Sequence, residues 1–167
     1  MSDEANHSAL TTTRAEAIAA FLDGAGVKYE LREHPSAMSA TAEARVAHVP
    51  PEEVAKTVVL HDGSAYVLAA IPASKRLELR KVRDLLGATR QLRLADEAEI
   101  ARDFPSLEVG ATPPFGPMVP AAELIDRSLL AHERILCPAG DHRHSVLVDP
   151  RDVMRITAAQ SADICED

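Results

Sequence analysis

A single lysine interrupts the most apolar stretch of the chain, and it constrains the fold more than any other residue. Residues 54–60 read Val-Ala-Lys-Thr-Val-Val-Leu, which is typical of a buried β-strand. Side chains alternate along a strand, so Lys56 shares a face with Val54, Val58 and Leu60. Taking an ammonium group out of water is costly unless an anion meets it. The pattern therefore indicates an anionic ligand or developing negative charge at Lys56. The alternative is that Lys56 lies at the start of the strand and extends to water.

The rest of the pattern predicts short helices and strands around this strand. The turn Asp62-Gly63-Ser64 and a second apolar run over 65–71 complete a β-hairpin. Helical spacing covers 13–23, 40–47, 79–86, 95–103 and 150–156, and shorter strands are expected over 27–32, 92–94, 123–126, 134–137 and 145–148. Because strands and helices do not alternate regularly, we expect a single compact α+β domain. Its sheet should be mostly antiparallel or mixed and barrel-like, with flanking helices.

Composition and charge limit the partners that the chain is expected to bind. The 167 residues suit one domain, and they include no Trp, three Phe and two Tyr, which disfavours a protein that stacks nucleic-acid bases on aromatic rings. The net charge of −8 opposes non-specific binding to DNA or RNA. The segment 75–93, however, holds seven basic and two acidic residues. It predicts a local phosphate-binding surface that includes Arg76, Arg80, Lys81 and Arg83. The alternative is an ordinary solvated helix face.

A loop rich in glycine and proline over 110–120 is the second candidate binding element. Pro113 and Pro114 restrict the backbone, while Gly110 permits a positive φ or a close approach. A stiff loop of this kind can offer backbone N–H groups to a substrate without reorganising. We therefore interpret Gly110, Ala111, Thr112, Pro113 and Pro114 as substrate-binding residues, with an ordinary surface turn as the alternative.

Histidines supply the remaining candidates. Asp141 and His142 are predicted to hydrogen-bond at the mouth of the site, and His34, beside a turn, is a further candidate with a structural role as the alternative. Cys137, His142 and His144 are of the residue types that bind zinc, but their spacing matches none of the usual zinc patterns. No metal site is predicted, although a zinc-dependent hydrolase remains a third reading of the sequence. Nucleotide-binding glycine loops and nucleophile elbows are also absent from the sequence, so no cofactor is predicted.

Taken in order, these elements resemble one known family. A Tyr-x4-His-Pro segment over 29–35 precedes the lysine strand and its hairpin, and Ile-Pro-Ala-x-x-Arg-Leu-x-Leu follows over 71–79. Gly-x-x-x-Pro over 110–114 and Ala-Gly-Asp-His-Arg over 139–143 complete the series. The chain is thus similar to the YbaK / prolyl-tRNA synthetase-associated editing-domain family over residues 14–156.

The resemblance implies a freestanding aminoacyl-tRNA deacylase on a compact α+β fold. Such an enzyme hydrolyses, in trans, the ester that joins a wrong amino acid to the 3′ end of a tRNA. Lys56 would match the family's essential lysine, and Gly110 and Pro114 would match its substrate-binding loop. An aminoacyl-tRNA synthetase is a possible further partner. The alternative is a non-catalytic module of the same fold that binds tRNA ends or a synthetase.

Three further expectations concern the ends of the chain, its location and its substrate. Residues 1–12 and 157–167 are expected to be flexible and 13–156 to form the domain. The sequence shows neither an apolar run of membrane-spanning length nor a signal peptide, and few cysteines, so we expect a cytoplasmic protein with no membrane or DNA partner. A small amino acid is the expected substrate, because the hairpin strands and the loop offer small or aliphatic residues and no carboxylate. These residues are Val58, Leu60, Leu68, Ala70, Ala111 and Thr112.

Overall fold

Helices begin where the sequence supplies a capping side chain. The computed structural model describes residues 13–87, 91–115 and 121–167. Its helices are α1 (Arg14–Gly24), α2 (Ala40–Ala47), α3 (Leu79–Leu86), α4 (Glu97–Asp103) and α5 (Pro150–Thr157). Thr13 forms a capping box with Glu16 at the start of α1, and Asp96 forms one with Glu99 at the start of α4. Ser39 caps α2 by accepting from the N–H of Ala42. These side chains satisfy backbone donors that a helix leaves unpaired at its start.

The described strands form two sheets. They are β1 (Tyr29–Glu33), β2 (Ala55–His61), β3 (Tyr66–Pro72), β4 (Arg93–Leu94), β5 (Ala121–Asp126), β6 (Ile135–Pro138), β7 (His144–Val148) and β8 (Gln160–Ala162). The smaller sheet has the order β1-β7-β6, and the larger has the order β4-β2-β3-β5-β8. Short 3-10 helices over Pro51–Glu53 and Arg127–Ala131 connect the strands.

The predicted fold class is confirmed, and the hairpin is at its centre. Strands β2 and β3 pair antiparallel from Ala55 opposite Pro72 to His61 opposite Tyr66. Strand β5 runs parallel to β3, and β8 runs parallel to β5, so the larger sheet is mixed. The barrel-like closure that we expected is wrong, because the described strands make two open sheets and no closed barrel.

The two sheets meet where β2 begins, and this junction positions the site. Val54, just before β2, forms a parallel bridge with Leu136 of β6. The main core is a cluster of buried residues to which α1 and α5 contribute Ile18, Leu22 and Val153. A smaller cluster of small and aliphatic residues, which includes Ala44 of α2, lies beside the junction. Short side chains in α2 let that helix approach both sheets closely.

The C-terminal segment corrects the expectation of a flexible tail after residue 156. Its residues 160–162 form β8 on the edge of β5, and Ile164 and Cys165 are buried. The Ile164 N–H donates to Oδ1 of Asp126 at 3.1 Å, and its carbonyl accepts from Glu78. The polar composition of the segment suggested disorder. In the structure, pairing along the edge of β5 satisfies backbone groups of the segment, and Ile164 packs in a buried cluster with Leu60, Val82 and Leu124.

Some predictions lie outside the described residues, namely residues 1–12, Arg90 in the basic segment and 116–120 in the proline-rich loop. Within the described residues, none of the helices has both the length and the apolar character needed to cross a membrane.

Candidate active site

A cavity of about 280 Å³ lies at the junction of the two sheets. It is bordered by β2, the end of β6, α2 and the segment before it, and the loops around residues 110 and 141. The residues that line it are His34, Ala37, Met38, Ser39, Ala40, Glu43, Ala55, Lys56, Thr57, Val58, Gly110, Ala111, Pro138, Asp141 and His142. The cavity thus brings together seven of the residues predicted from the sequence: Lys56, Val58, Gly110, Ala111, His34, Asp141 and His142.

Lys56 lies on the cavity wall and is half-buried. Its ammonium group, Nζ, donates to the backbone oxygen of Lys75 at 3.1 Å. An ammonium group has three N–H donors, so two remain to meet an anionic group in the cavity. The structure therefore combines both interpretations of this lysine, since it is partly desolvated by β2 but its head reaches an open site.

The loop that contains Gly110 forms another part of the cavity wall. Gly110 has a φ of +88°, which L side chains rarely adopt. The Ala111 N–H donates to the oxygen of Glu108 at 3.0 Å, and the Ala111 oxygen accepts from Gly140 at 3.1 Å. The Ala111 N–H is therefore already hydrogen-bonded within the protein and does not face a ligand, contrary to our expectation for such a loop. Backbone hydrogen bonds of Glu108 and Ala111 with Gly140 connect this part of the loop to the end of β6.

The other predicted loop residues do not line the cavity. Thr112, Pro113 and Pro114 are buried behind the wall, and only 4% of Thr112 is exposed. Their position is one of packing, and contact with a substrate stays a prediction for them.

Three buried polar side chains form a chain beneath the cavity. His34, 8% exposed, places Nε2 at 2.7 Å from Oγ of Ser145, and its Nδ1 lies 2.8 Å from the oxygen of Pro35. Oγ of Ser145 also hydrogen-bonds Oε2 of Glu43. Burial raises the pKa of Glu43 to about 7, and the bond to Ser145 only partly offsets that effect. Glu43 and His34 both reach the cavity wall, so the chain connects two titratable groups at the site.

The segment 141–144 does not form a metal site. The ring of His142 lies 3.5 Å from Oε2 of Glu108, whereas His144 pairs with Asp141 at 2.9 Å. Cys137 is enclosed in the main core, where burial raises the pKa of its thiol. No group of three or more His, Cys, Asp or Glu side chains in the described residues is arranged to hold a metal. The two histidines therefore point to different partners, and the third reading of the sequence finds no support in these residues.

The aliphatic pocket that we predicted is only partly right. Val58 and Ala111 line the cavity, but Leu60, Leu68 and Ala70 are buried in other core clusters. The hairpin strands and the loop supply no carboxylate to the wall, as the sequence indicated, but Glu43 and the predicted Asp141 both lie in it. Our reasoning considered only the hairpin and the loop, whereas α2 supplies Glu43.

Thr57 adds a polar atom that the sequence did not single out. Its Oγ1 is buried and has no hydrogen-bond partner in the described part of the chain. Thr57 also lines the cavity. Because the oxygen atom itself has almost no exposed surface, Thr57 contributes to the cavity wall through its other atoms.

The predicted phosphate-binding surface is partly occupied by contacts within the protein. Lys81 pairs with Asp163 at 3.1 Å and Asp167 at 3.0 Å, and Arg83 donates to the oxygen of Leu92 at 2.9 Å. Arg76 and Arg80 have exposed side chains. Two of the four residues are therefore available at the surface, and tRNA contact stays a prediction for all four.

Glu43 and Ser145 are the site residues that sequence reasoning missed. Glu43 occupies the helix face that also carries Ala40, Ala44 and Ala47, which packs against the sheets. An acidic residue on such a face is the signal that could have singled it out. Ser145 gave no such signal, because its partners are 102 and 111 residues away in sequence.

Comparison with known families identifies the region that contains this cavity. A family model described as the aminoacyl-tRNA editing domain matches residues 34–156. That range includes every residue of the cavity wall. No curated protein sequence matches the chain.

Solved structures share the fold at low sequence identity. A candidate trans-editing enzyme for prolyl-tRNA synthetase superposes with a TM-score of 0.83 at 23% identity, with 94% of this chain and 99% of that chain covered. The hypothetical protein APE2540 gives 0.80 at 24% identity, covering 89% and 99%. A candidate signal transduction protein from Marinobacter aquaeolei VT8 gives 0.70 at 18% identity, covering 90% of this chain and 31% of that one. At these identities the likeness establishes the fold alone.

Proposed function

The chain belongs to the aminoacyl-tRNA editing domain family, and on that basis we propose that it is an aminoacyl-tRNA deacylase. Its substrate would be a mischarged tRNA, recognised at the 3′ end and hydrolysed in trans. The name of the structural neighbour with a TM-score of 0.83, a candidate trans-editing enzyme for prolyl-tRNA synthetase, supports trans action and a synthetase as a further partner.

One observation supports this proposal more than any other. Lys56 and the Gly110 loop both line one small cavity, and both lie inside the matched family region. The ester of an aminoacyl-tRNA lies next to anionic phosphate, and its hydrolysis develops negative charge on the carbonyl oxygen. A partly desolvated ammonium group stabilises either charge more strongly than water does.

The proposed chemistry needs no covalent intermediate on the protein. A water molecule attacks the ester carbonyl carbon, the bond from that carbon to the ribose oxygen breaks, and the ribose hydroxyl receives a proton. Lys56 stabilises the charge at the reacting end, and the Gly110 loop limits the orientations that the ester can adopt. Positioning and electrostatics are therefore the main contributions of the protein.

The proposal is tested by incubating the purified protein with a panel of mischarged tRNAs and following release of the amino acid. We expect hydrolysis of at least one member well above the spontaneous rate. Binding of the same tRNAs without any hydrolysis would overturn the proposal and favour the non-catalytic module.

Within this function we propose a small amino acid as the substrate. The cavity wall includes five residues with little or no side chain, which are Ala37, Ala40, Ala55, Gly110 and Ala111. A cavity of about 280 Å³ is at the small end of ligand pockets, and the terminal ribose also needs room near its mouth. Volume therefore supports the choice of a small side chain, which we first based on a small or aliphatic lining and on the lack of a carboxylate in the hairpin and the loop.

The same panel measures this preference. We expect alanine, serine and cysteine esters to be cleaved faster than large or charged ones. The rates among these small residues should be comparable, because one methylene discriminates by only about 1–3 kcal/mol. Hydrolysis confined to a bulky or cationic aminoacyl ester would contradict the proposal and point to side-chain recognition by Glu43.

A further inference from the structure

Glu43 is a buried carboxyl group that the proposed hydrolysis does not yet use. It is 6% exposed, it lies in the first turn of α2, and it lines the cavity. Ser145 engages its Oε2, which leaves Oε1 to meet a ligand. The ion pairs found among the described residues include none with Glu43, whereas the neighbouring Asp141 is paired with His144 at 2.9 Å.

The hydrogen-bonded chain from Glu43 through Ser145 to His34 can transfer a proton without any movement of heavy atoms. A carbonyl oxygen only accepts, so Nδ1 of His34 carries a hydrogen and donates to Pro35 at 2.8 Å. In one arrangement Ser145 donates to Nε2 of His34 and protonated Glu43 donates to Ser145. In the other, Nε2 donates to Ser145 and Ser145 donates to the Glu43 carboxylate, so the proton and its positive charge have moved to the ring of His34. Both arrangements hold the same number of protons, so the chain stays neutral as a whole while Glu43 becomes its anionic end when a cation arrives.

The substrate class proposed above carries such a cation. An aminoacyl ester with a small neutral side chain has one positive group, the α-ammonium. This group is two bonds away from the carbonyl carbon of the ester. We propose that Glu43 binds this α-ammonium group. The inference rests on the proposed deacylase function and adds a specificity determinant to it.

Placement of the ammonium at Glu43 also orients the ester. Glu43 of α2 and Lys56 of β2 line the same cavity, so a substrate held between them has its cationic end at α2 and its anionic, reacting end at β2. Complementary charges at two ends define one binding direction, and they reject ligands that lack either group.

Paired non-hydrolysable ligands test the inference directly. The first is 3′-amino-3′-deoxyadenosine acylated with alanine, and the second is the same compound acylated with lactic acid, in which a hydroxyl replaces the ammonium. Calorimetry of the wild-type protein should show the alanyl compound binding about 10- to 100-fold more tightly, the range expected for a hydrogen bond to a charged group. Glu43→Gln should reduce this ratio towards one.

A control and a second variant distinguish recognition from loss of fold. Glu99→Gln removes a buried carboxyl outside the cavity and should retain the wild-type ratio. Ser145→Ala breaks the chain through which Glu43 passes its proton to His34, so it should also lower the ratio, and it keeps the inference testable if Glu43→Gln fails to fold. Equal affinities of the wild-type protein for the two compounds, no binding of either, or an unchanged ratio in Glu43→Gln would each overturn the inference.

The outcome can be separated from that of the proposed function. Hydrolysis of alanyl-tRNA together with a ratio of one would leave the deacylase proposal intact and reject the role of Glu43. A high ratio that depends on Glu43, without hydrolysis of any tRNA in the panel, would support ammonium recognition in a binding module.

Discussion

Glu43 and Glu99 are both buried carboxyl groups in the first turn of a short helix, yet their surroundings give them opposite properties. Glu99 receives two N–H groups of the Arg93 guanidinium, at 2.5 and 3.1 Å, and the backbone N–H of Asp96 at 2.8 Å. These bonds lower its pKa to about 2. Glu43 has a serine hydroxyl as its partner, and burial raises its pKa to about 7. Position in a helix therefore does not predict the role of a carboxyl group, whereas the partners that surround it do.

The lysines repeat this contrast. Lys81 is held by the carboxylates of Asp163 and Asp167, and this network fixes the C-terminal segment to α3. Lys56 donates to a single backbone carbonyl and faces the cavity. Lys81 and Glu99 are neutralised by partners within the protein, while Lys56 and Glu43 keep capacity for a ligand.

The largest expected effect is that of Lys56→Ala on catalysis. Loss of one electrostatic partner of a transition state lowers the rate by about 10²–10³. Deacylation of the best substrate from the tRNA panel should fall by this factor, while circular dichroism and the free energy of unfolding change little.

Lys28→Ala is the matched control for Lys56, because Lys28 is exposed and lies outside the cavity. Its rate should equal that of the wild-type protein. Full activity of Lys56→Ala on every tRNA that the wild-type protein hydrolyses would remove Lys56 from the mechanism and end the contrast with Lys81.

The second effect is on stability as a function of pH, and the two carboxyl groups should give opposite signs. Folded Glu43 keeps its proton up to a pH of about 7, whereas the unfolded chain releases it near 4.5. Its protonated form therefore stabilises the fold below pH 4.5, and that contribution is lost as the pH rises through 7. Relative to Glu43→Gln, the wild-type protein should lose roughly 3 kcal/mol across this interval.

Glu99→Gln supplies the reverse case. The Glu99 carboxylate stabilises the fold above pH 4.5, and this contribution is lost as the pH falls towards 2. Glu99→Gln should therefore be less stable than the wild-type protein at neutral pH, with a difference that shrinks in acid. Urea unfolding from pH 8 down to the lowest pH at which the fold persists measures both differences, and equal signs for the two variants would break the comparison.

The smallest effect concerns the exposed part of the basic segment. Reversal of Arg76 and Arg80 to Glu should weaken tRNA binding by roughly tenfold and flatten its salt dependence, because each lost phosphate contact lowers the slope by about 0.9. Affinity for a minimal aminoacyl-adenosine analogue, which lacks the phosphate backbone, should remain unchanged.

Lys28→Glu is the control for charge reversal at an exposed site away from this segment. Equal affinities of the Arg76/Arg80 double variant and the wild-type protein for tRNA, measured at several salt concentrations, would assign both arginines to a solvated helix face.

Much of the local structure follows directly from the sequence. The helix predicted over 40–47 has those bounds in the structure, and the hairpin has the expected turn. Capping side chains, Gly63 and alternating apolar residues act over a few positions, so a single sequence records them. The error over residues 157–167 has the opposite cause, since the polar segment is ordered by pairing with β5, which lies more than thirty positions earlier.

The sequence by itself determined the lysine strand, the glycine at a positive φ and the order of motifs that match the editing-domain family. Only the tertiary structure decided that Glu43, Ser145 and His34 share one hydrogen-bonded chain beneath the cavity. It also decided that Lys81 forms ion pairs with carboxylates of the C-terminal segment. The physical reason is range. Backbone geometry and burial periodicity depend on neighbouring residues, whereas the pKa and the free capacity of a charged group depend on partners that the fold brings from distant positions.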